Sequence, residues 1–317
     1  MAAKTISLPG TSEPLTLLQH FTGHKARGGG PGGAIWPCGE ALAIWLAEQH
    51  CGSHSVLDPE VHDALSSSSV ASALELGCGT GIVGLTLSQI GVLRVVSTDG
   101  DLPSCELCAA NAKRAGLPVA SCQLEWGERA GCMPQLDAAL ALVGQDEETS
   151  SNASLSNPAT RRCAQWIVGG DVVYHPHSAL ELEVTVRELI MRGGCSLVII
   201  GWCERGQHAE SFLWKLSDLG DVRTAFRETS TKYSFLTRTK QGQLLASEVE
   251  FGVTLLSVHP HITAGRTLSG WRGALSSLGQ RLAIHRARAA LAVHDCLGRW
   301  CRTAEQVRAQ DRTPPLV

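Results

Sequence analysis

The chain has 317 residues, 44% of them hydrophobic, and a net charge of −3. That suits one α/β domain with additions, or at most two domains, and nothing in the total charge points to a nucleic-acid or membrane-surface partner. No run of about 18 apolar residues occurs, so no membrane span is expected, and Met1 to Pro9 lacks the charged head and apolar stretch of a secretory signal.

Residues 1–31 read as a flexible, loop-like segment ending in Arg27-Gly28-Gly29-Gly30-Pro31-Gly32-Gly33, a glycine density no helix tolerates. A helix is predicted from Pro37 to His50, with Leu42, Trp45, Leu46 and Gln49 at helical spacing. Residues 52–69 read as a surface insertion with a serine-rich tip at Ser66–Ser69. Strands and helices then alternate: strand Val70–Leu76, helix Gly81–Ile90, strand Leu93–Thr98, helix Leu102–Ala115 ended by Gly116, and strand Val119–Glu125.

A second insertion is read at residues 143–160, acidic and then rich in Ser and Asn. Strand Gln165–Gly170, helix Leu180–Met191, strand Cys195–Trp202 and a helix from Ala209 to Leu219 follow. Lys232–Thr237 and Leu245–Val253 read as a closing hairpin. This order predicts an α/β fold: a doubly wound, seven-stranded, mostly parallel sheet spanning residues 32–258. The remainder, 259–317, carries nine arginines against Asp295, Glu305 and Asp311, so it is net +6 where the rest is −9. Trp271, Leu275, Leu278 and Leu282, then Leu297 and Trp300, fall at helical spacing and predict a basic helical extension that packs on the core or on a partner; its basic residues read as a solvated helix face, with a surface for RNA or a ribosome as the alternative.

Twelve cysteines without a secretory signal imply reduced thiols in a cytoplasmic or nuclear protein. Cys105 and Cys108 have CxxC spacing but no second pair or matching histidines, so they read as helix-face thiols rather than metal ligands.

The strongest motif is Leu74-Glu75-Leu76-Gly77-Cys78-Gly79-Thr80-Gly81-Ile82-Val83-Gly84, which follows a strand and opens a helix. Its glycines let the backbone turn sharply and approach a nucleotide. Gly79-x-Gly81-x-x-Gly84 also matches the dinucleotide fingerprint, with Asp99 near the ribose position. Glu75 just before the first glycine argues against a pyrophosphate, which it would repel, and for a cofactor carrying an ammonium and a sulfonium. Glu75, Gly77, Cys78, Gly79 and Gly81 are therefore candidate contacts to S-adenosyl-L-methionine, whose product is S-adenosyl-L-homocysteine. Asp99 is a candidate for the ribose hydroxyls, or else a helix cap. Trp126 is a candidate for the adenine face, or else core.

These pieces together resemble methyltransferase-like family 16, a group of class I enzymes that methylate lysine, and in at least one branch arginine, of specific proteins. The resemblance rests on Gly33-Ala34-Ile35-Trp36-Pro37, Leu74–Gly84, Ser97-Thr98-Asp99, Leu124-Glu125-Trp126-Gly127, Gly170-Asp171-Val172-Val173-Tyr174, and Glu204-Arg205 with Phe212. It covers residues 30–255. It implies that Trp36, Gly77, Gly79, Asp99, Trp126 and Gly170 line the cofactor pocket and that Asp171 and Tyr174 stand at the substrate entrance. It implies a protein substrate and a monomer. Trp36-Pro37-Cys38 and Leu102-Pro103-Ser104-Cys105 look like the arginine branch, whereas Asp-x-x-Tyr and the Glu-Arg pair look like the lysine branches.

Asp171 is read at the carboxyl end of the fourth strand, where ligands bind in open α/β sheets. A carboxylate there can hold an incoming amine by a charge-assisted hydrogen bond, and the Tyr174 ring can wall the channel and attract a cation. The competing reading is that Asp171 caps the next helix and Tyr174 packs. His175 and His177 read as surface-loop histidines. Base-directed amino-methyltransferases carry a Pro-Pro pair where this chain has Val172-Val173, which argues against a flipped base. A small-molecule methyltransferase, a nicotinamide oxidoreductase and a non-catalytic cofactor-binding scaffold stand as alternatives.

Overall fold

A computed structural model describes residues 2–20, 31–127, 132–144, 164–173, 176–204, 212–230, 237–238, 244–245 and 248–263. The first feature corrects the sequence reading: residues 2–19 are a β-hairpin, not a loose segment. Strands β1 (Ala2–Ile6) and β2 (Leu15–Gln19) pair antiparallel from Ala2↔Gln19 to Ile6↔Leu15. Ile6, Leu15 and Leu17 are buried in the main core, which holds so short a ribbon in place.

Helix α1 (Pro37–Cys51) starts with Pro37 in its first turn and ends at Gly52, whose φ of +70° closes the helix. The stretch 52–69 contains a helix of its own, α2 (Pro59–Ser66). Asp58 caps it by accepting from the Val61 N–H, and the buried Val61 and Leu65 face the core. Arg223 donates to both Asp58 oxygens at 2.9 and 3.0 Å, tying α2 to the far edge of the sheet.

Strand β3 (Ser72–Leu76), helix α3 (Ile82–Gln89), strand β4 (Arg94–Asp99), helix α4 (Leu102–Ala115) and strand β5 (Val119–Gln123) follow the predicted alternation. Helix α5 (Cys132–Val143), absent from the sequence reading, touches β3, β4 and β5. Strand β6 (Trp166–Gly170), helix α6 (Pro176–Gly193) and strand β7 (Leu197–Glu204) complete the parallel part. In its described part, the helix expected at Ala209–Leu219 is only a 3-10 turn at Leu213–Leu216, where Leu213 and Leu216 are buried and Trp214 is half exposed.

The closing strands differ from the expected pair. They are β8 (Gly220–Ser230) and, after the two-residue strands β9 (Thr237–Arg238) and β10 (Leu244–Leu245), β11 (Val249–Val258). Strand β11 runs antiparallel to both β7 and β8, giving the order β5-β4-β3-β6-β7-β11-β8. The seven-stranded, mostly parallel doubly wound sheet is thus present, with β11 alone running against the other six strands. A short α7 (Pro260–Thr263) ends the described chain. The helices predicted within 268–309, and residues 145–160 of the second insertion, lie outside the described residues.

The core is built in layers. Leu197 and Ile199 of β7 join a cluster with Leu42, Trp45 and Leu46 of α1 and Leu85 and Leu87 of α3. Their neighbours Val198 and Ile200, on the opposite face of the same strand, are equally buried but outside that cluster. A strand covered on both faces needs a continuous apolar run rather than alternation, as Leu-Val-Ile-Ile provides. Among the described residues no helix is long and apolar enough to cross a membrane.

Candidate functional site

The carboxyl ends of β3, β4, β5 and β6 open into one cavity of about 550 Å³, a volume typical of small-molecule pockets. Trp36, Glu75, Gly77, Cys78, Gly79, Asp99, Trp126, Gly170 and Asp171 all line it. Gly81 does not: it is the first residue before α3, with φ +84°, and a Cβ there would lie 2.5 Å from Cys108 Sγ. Its part is to start the helix behind the loop. Tyr174, His175 and Arg205 lie outside the described residues, as does the side chain of His177.

The loop after β3 works as a cradle. Gly79 has φ +51°, and a Cβ on it would meet the Gly32 carbonyl at 2.8 Å. Only glycine combines that backbone with that close approach. The Gly79 N–H donates to Asp99 Oδ2 at 3.0 Å, and the Asp101 N–H to Asp99 Oδ1 at 3.0 Å. Burial raises the Asp99 carboxyl above its ordinary range, against the pull of those N–H donors. The cap of α4 is Asp101, which accepts from the Ser104 N–H and Oγ at 3.2 and 2.8 Å. Asp99 is therefore not that cap; its carboxylate is aligned by the loop and faces the cavity.

Glu75 lines the cavity, where the sequence reading puts it, and also has partners within the fold. It lines the cavity floor but is 2% exposed. Ser97 Oγ donates to its Oε2 at 2.6 Å, and the Val83 and Gly84 N–H groups at the start of α3 also donate to it. Gly81 has no side chain to cap α3, so the Glu75 carboxylate supplies the missing acceptor from below. A Cβ on Gly84 would stand 2.2 Å from Ser97 Oγ and 2.5 Å from Glu75 Oε2, which is why a glycine occupies that position. Its oxygens are thus engaged by the fold itself. Burial pushes its pKa up to about 7.

Trp126 stands on the other wall. Its ring edge lies 3.4 to 3.6 Å from the position of a Cβ on Gly77. Its Nε1 is buried with no hydrogen-bond partner among the described residues. The Gly127 N–H donates to Thr185 Oγ1 at 3.0 Å and anchors this loop to α6.

Asp171 has φ +61°, a left-handed conformation uncommon outside glycine but tolerated by Asp. Its N–H donates to the Gly201 carbonyl at 2.9 Å, and it lies five residues before Pro176, where α6 begins. That distance removes the helix-cap reading. The turn costs about 1–3 kcal/mol and directs the chain out of β6 at the cavity.

Sequence reasoning missed Asp101, Glu125, Ser178 and Glu181, which also line the cavity. Glu125 stands inside the quoted Leu-Glu-Trp-Gly motif. Ser178 and Glu181 belong to the first two turns of α6, whose start at Pro176 was placed four residues late. Cys105 and Cys108 of α4 are buried free thiols within hydrogen-bonding reach of the Cys78 thiol in the loop. Among the described residues no group of His, Cys, Asp and Glu is arranged to hold a metal.

Residues 19–143 match the profile of the lysine methyltransferase family, the family that the motifs resemble. No curated protein matches the chain. Among solved structures it is similar to a 16S rRNA methyltransferase of T. thermophilus in complex with AdoMet and guanosine, at 14% identity over 81% of this chain and 50% of that one, TM-score 0.42. It is also similar to magnesium protoporphyrin IX methyltransferase of Synechocystis PCC 6803 with bound SAM, at 12% identity over 71% and 86%, TM-score 0.37. A third is precorrin 8W decarboxylase of Methanobacterium thermoautotrophicum, at 17% identity over 64% and 94%, TM-score 0.35.

Proposed function

We propose that this chain, a class I S-adenosylmethionine-dependent methyltransferase whose residues 19–143 match the lysine methyltransferase family, methylates a lysine side chain of a specific protein. The observation that carries this reading is the charge of the cavity. Among the described residues its lining includes six acidic side chains, Glu75, Asp99, Asp101, Glu125, Asp171 and Glu181, and no Lys, Arg or His. A phosphate-bearing substrate or a nicotinamide dinucleotide would be repelled by such a wall. A cationic amine would be drawn to it, as would the cofactor's ammonium and sulfonium.

The residues present fit that cofactor. Asp99 is aligned for ribose hydroxyls, Trp126 supplies an aromatic wall, and the glycine loop admits close backbone approach. S-adenosylmethionine supplies an electrophilic methyl carbon. The chain must then present an amine whose lone pair is free, aligned with that carbon, in a site closed to water. Such alignment contributes about 7–11 kcal/mol. A lysine ammonium has a pKa of about 10.4 and cannot attack until it loses a proton. The ammonium gives up its proton to solvent before the amine is enclosed, and Asp171 then accepts a hydrogen bond from the neutral amine and orients its lone pair. Trp126→Ala is expected to weaken cofactor binding by about 5- to 150-fold, the range for loss of base–aromatic stacking, while Trp126→Phe keeps most of it; calorimetric titration checks both.

The test is to incubate the purified chain with methyl-labelled S-adenosylmethionine and an extract of cells lacking the enzyme, with Asp171→Ala beside it. One labelled protein, absent with the variant and modified on lysine, supports the reading. Label on arginine moves the chain to the arginine branch. Label in small molecules or nucleic acid overturns the substrate class. Tight cofactor binding without any transfer favours a scaffold.

A further inference from the structure

Two walls of the cavity come from segments distant in sequence. One is the glycine loop, through Gly79 and Thr80; the other is the segment before α1, through Gly32, Ala34 and Trp36. The two touch, since the Gly32 carbonyl packs against Gly79. The first is irregular and the second holds only the 3-10 turn Pro31–Gly33, and both are tied to the end of β2 of the N-terminal hairpin, the loop through Asn111 and the segment before α1 through Gln19 and the adjoining His20.

The link to the loop is Asn111 of α4, fully buried. Its Oδ1 accepts from the Leu18 N–H at 2.7 Å. Its Nδ2 donates to the Leu18 carbonyl at 3.1 Å and to the Thr80 carbonyl at 2.9 Å. Acceptor and both donors of one amide are thus used, two on the strand and one on the loop. The link to the second wall is direct. The His20 N–H donates to the Gly33 carbonyl at 2.7 Å, and the Ile35 N–H donates to Gln19 Oε1 at 3.2 Å. Lys4 of β1 pairs with Glu40 in the first turn of α1, which fixes the hairpin from its other strand.

We propose that β2 and Asn111 are the positioning device of the cofactor pocket, setting the gap between the glycine loop and the segment 32–36. The inference rests on reading the cavity as the S-adenosylmethionine site, and not on the identity of the methyl acceptor. Asn111 is a positioning residue: it acts through Thr80 and does not line the cavity.

The experiment measures binding of S-adenosylhomocysteine by calorimetry, so it needs no methyl acceptor. Melting temperature is recorded for the same samples. Asn111→Asp keeps the shape but turns a double donor into an acceptor facing two carbonyls. Gln19→Ala removes only the bond to Ile35. Asp58→Asn, on the α2 side, loosens the Arg223 pairing far from the cavity and serves as the stability control. The expected result is that Asn111→Asp raises Kd by about ten-fold or more, equivalent to about 1.4 kcal/mol. Gln19→Ala raises it less but measurably. Asp58→Asn melts earlier with Kd unchanged. An unchanged Kd in Asn111→Asp, with a lowered melting temperature, reduces the device to ordinary packing and overturns the proposal. Should Asn111→Asp fail to fold, Gln19→Ala decides alone: an unchanged Kd there overturns it equally.

Discussion

Asp171→Asn is expected to lower the rate of methyl transfer by about 100-fold, the size of a lost alignment, while leaving cofactor affinity and melting temperature near those of the parent chain. The argument starts from the backbone. Asp171 has φ +61°, and asparagine is among the few residues that adopt that region without penalty beyond that of aspartate. The substitution is also isosteric, so the Asp171 N–H keeps its bond to the Gly201 carbonyl. What disappears is the charge at the carboxyl end of β6, and with it the charge-assisted hydrogen bond to the incoming amine. Asp171→Ala removes the charge and also places alanine in a left-handed turn, so it should lose the same activity and some stability. Single-turnover kinetics at saturating cofactor, run beside thermal melts, separate the two effects. Full turnover in Asp171→Asn would show that the turn, and not the carboxylate, matters.

How much of this site was legible depended on whether its signals are local. Helix α4 was read with the bounds it has, Leu102–Ala115, because Pro103 near its start and Gly116 at its end are both chain-local signals. The glycine loop was legible for the same reason. The hairpin at residues 2–19 was missed because strands of five residues carry little periodicity, and what holds them is distant in sequence: the main core around Ile6, Leu15 and Leu17, and Asn111, more than ninety residues from Leu18. Strand β8 was missed because its sequence, Asp-Val-Arg-Thr-Ala-Phe-Arg-Glu-Thr-Ser, is mostly polar and its burial comes from pairing with β11. Helix α2 carried a readable signal, Asp58 before Pro59, which the serine-rich tip obscured. Glu75 shows the same limit at the level of one side chain. Its position before the glycines marked it as a cofactor group, but its hydrogen bonds run to Ser97 and the start of α3, partners set by the parallel register of β3 on β4.

Glu75 should make the chain less stable as pH rises toward neutrality, against the usual trend for carboxylates. Its pKa is raised from 4.5 to about 7, chiefly by burial, with Asp99 adding to the rise and the Ser97, Gly84 and Val83 donors opposing it. A group bound more tightly to its proton in the folded state contributes stability that is fully present below the unfolded value. That contribution falls between the two values and is gone above about pH 7, a change of roughly 3 kcal/mol. Glu75→Gln cannot titrate. The melting temperature of the parent chain relative to this variant should therefore fall from about pH 4.5 to 7 and stay level above. A pH-independent difference, or one that rises, would sink the idea. The same carboxylate lies on the floor of a cavity that takes a cation. A bound sulfonium and ammonium favour its ionised form, so cofactor binding near about pH 6.5 should release a proton. Titrations in buffers of different ionisation enthalpy detect that proton, and it should be absent from Glu75→Gln. The cost of burying Glu75 as an ion would then be offset by the cofactor's own charge, which couples ionisation of Glu75 to occupancy of the pocket.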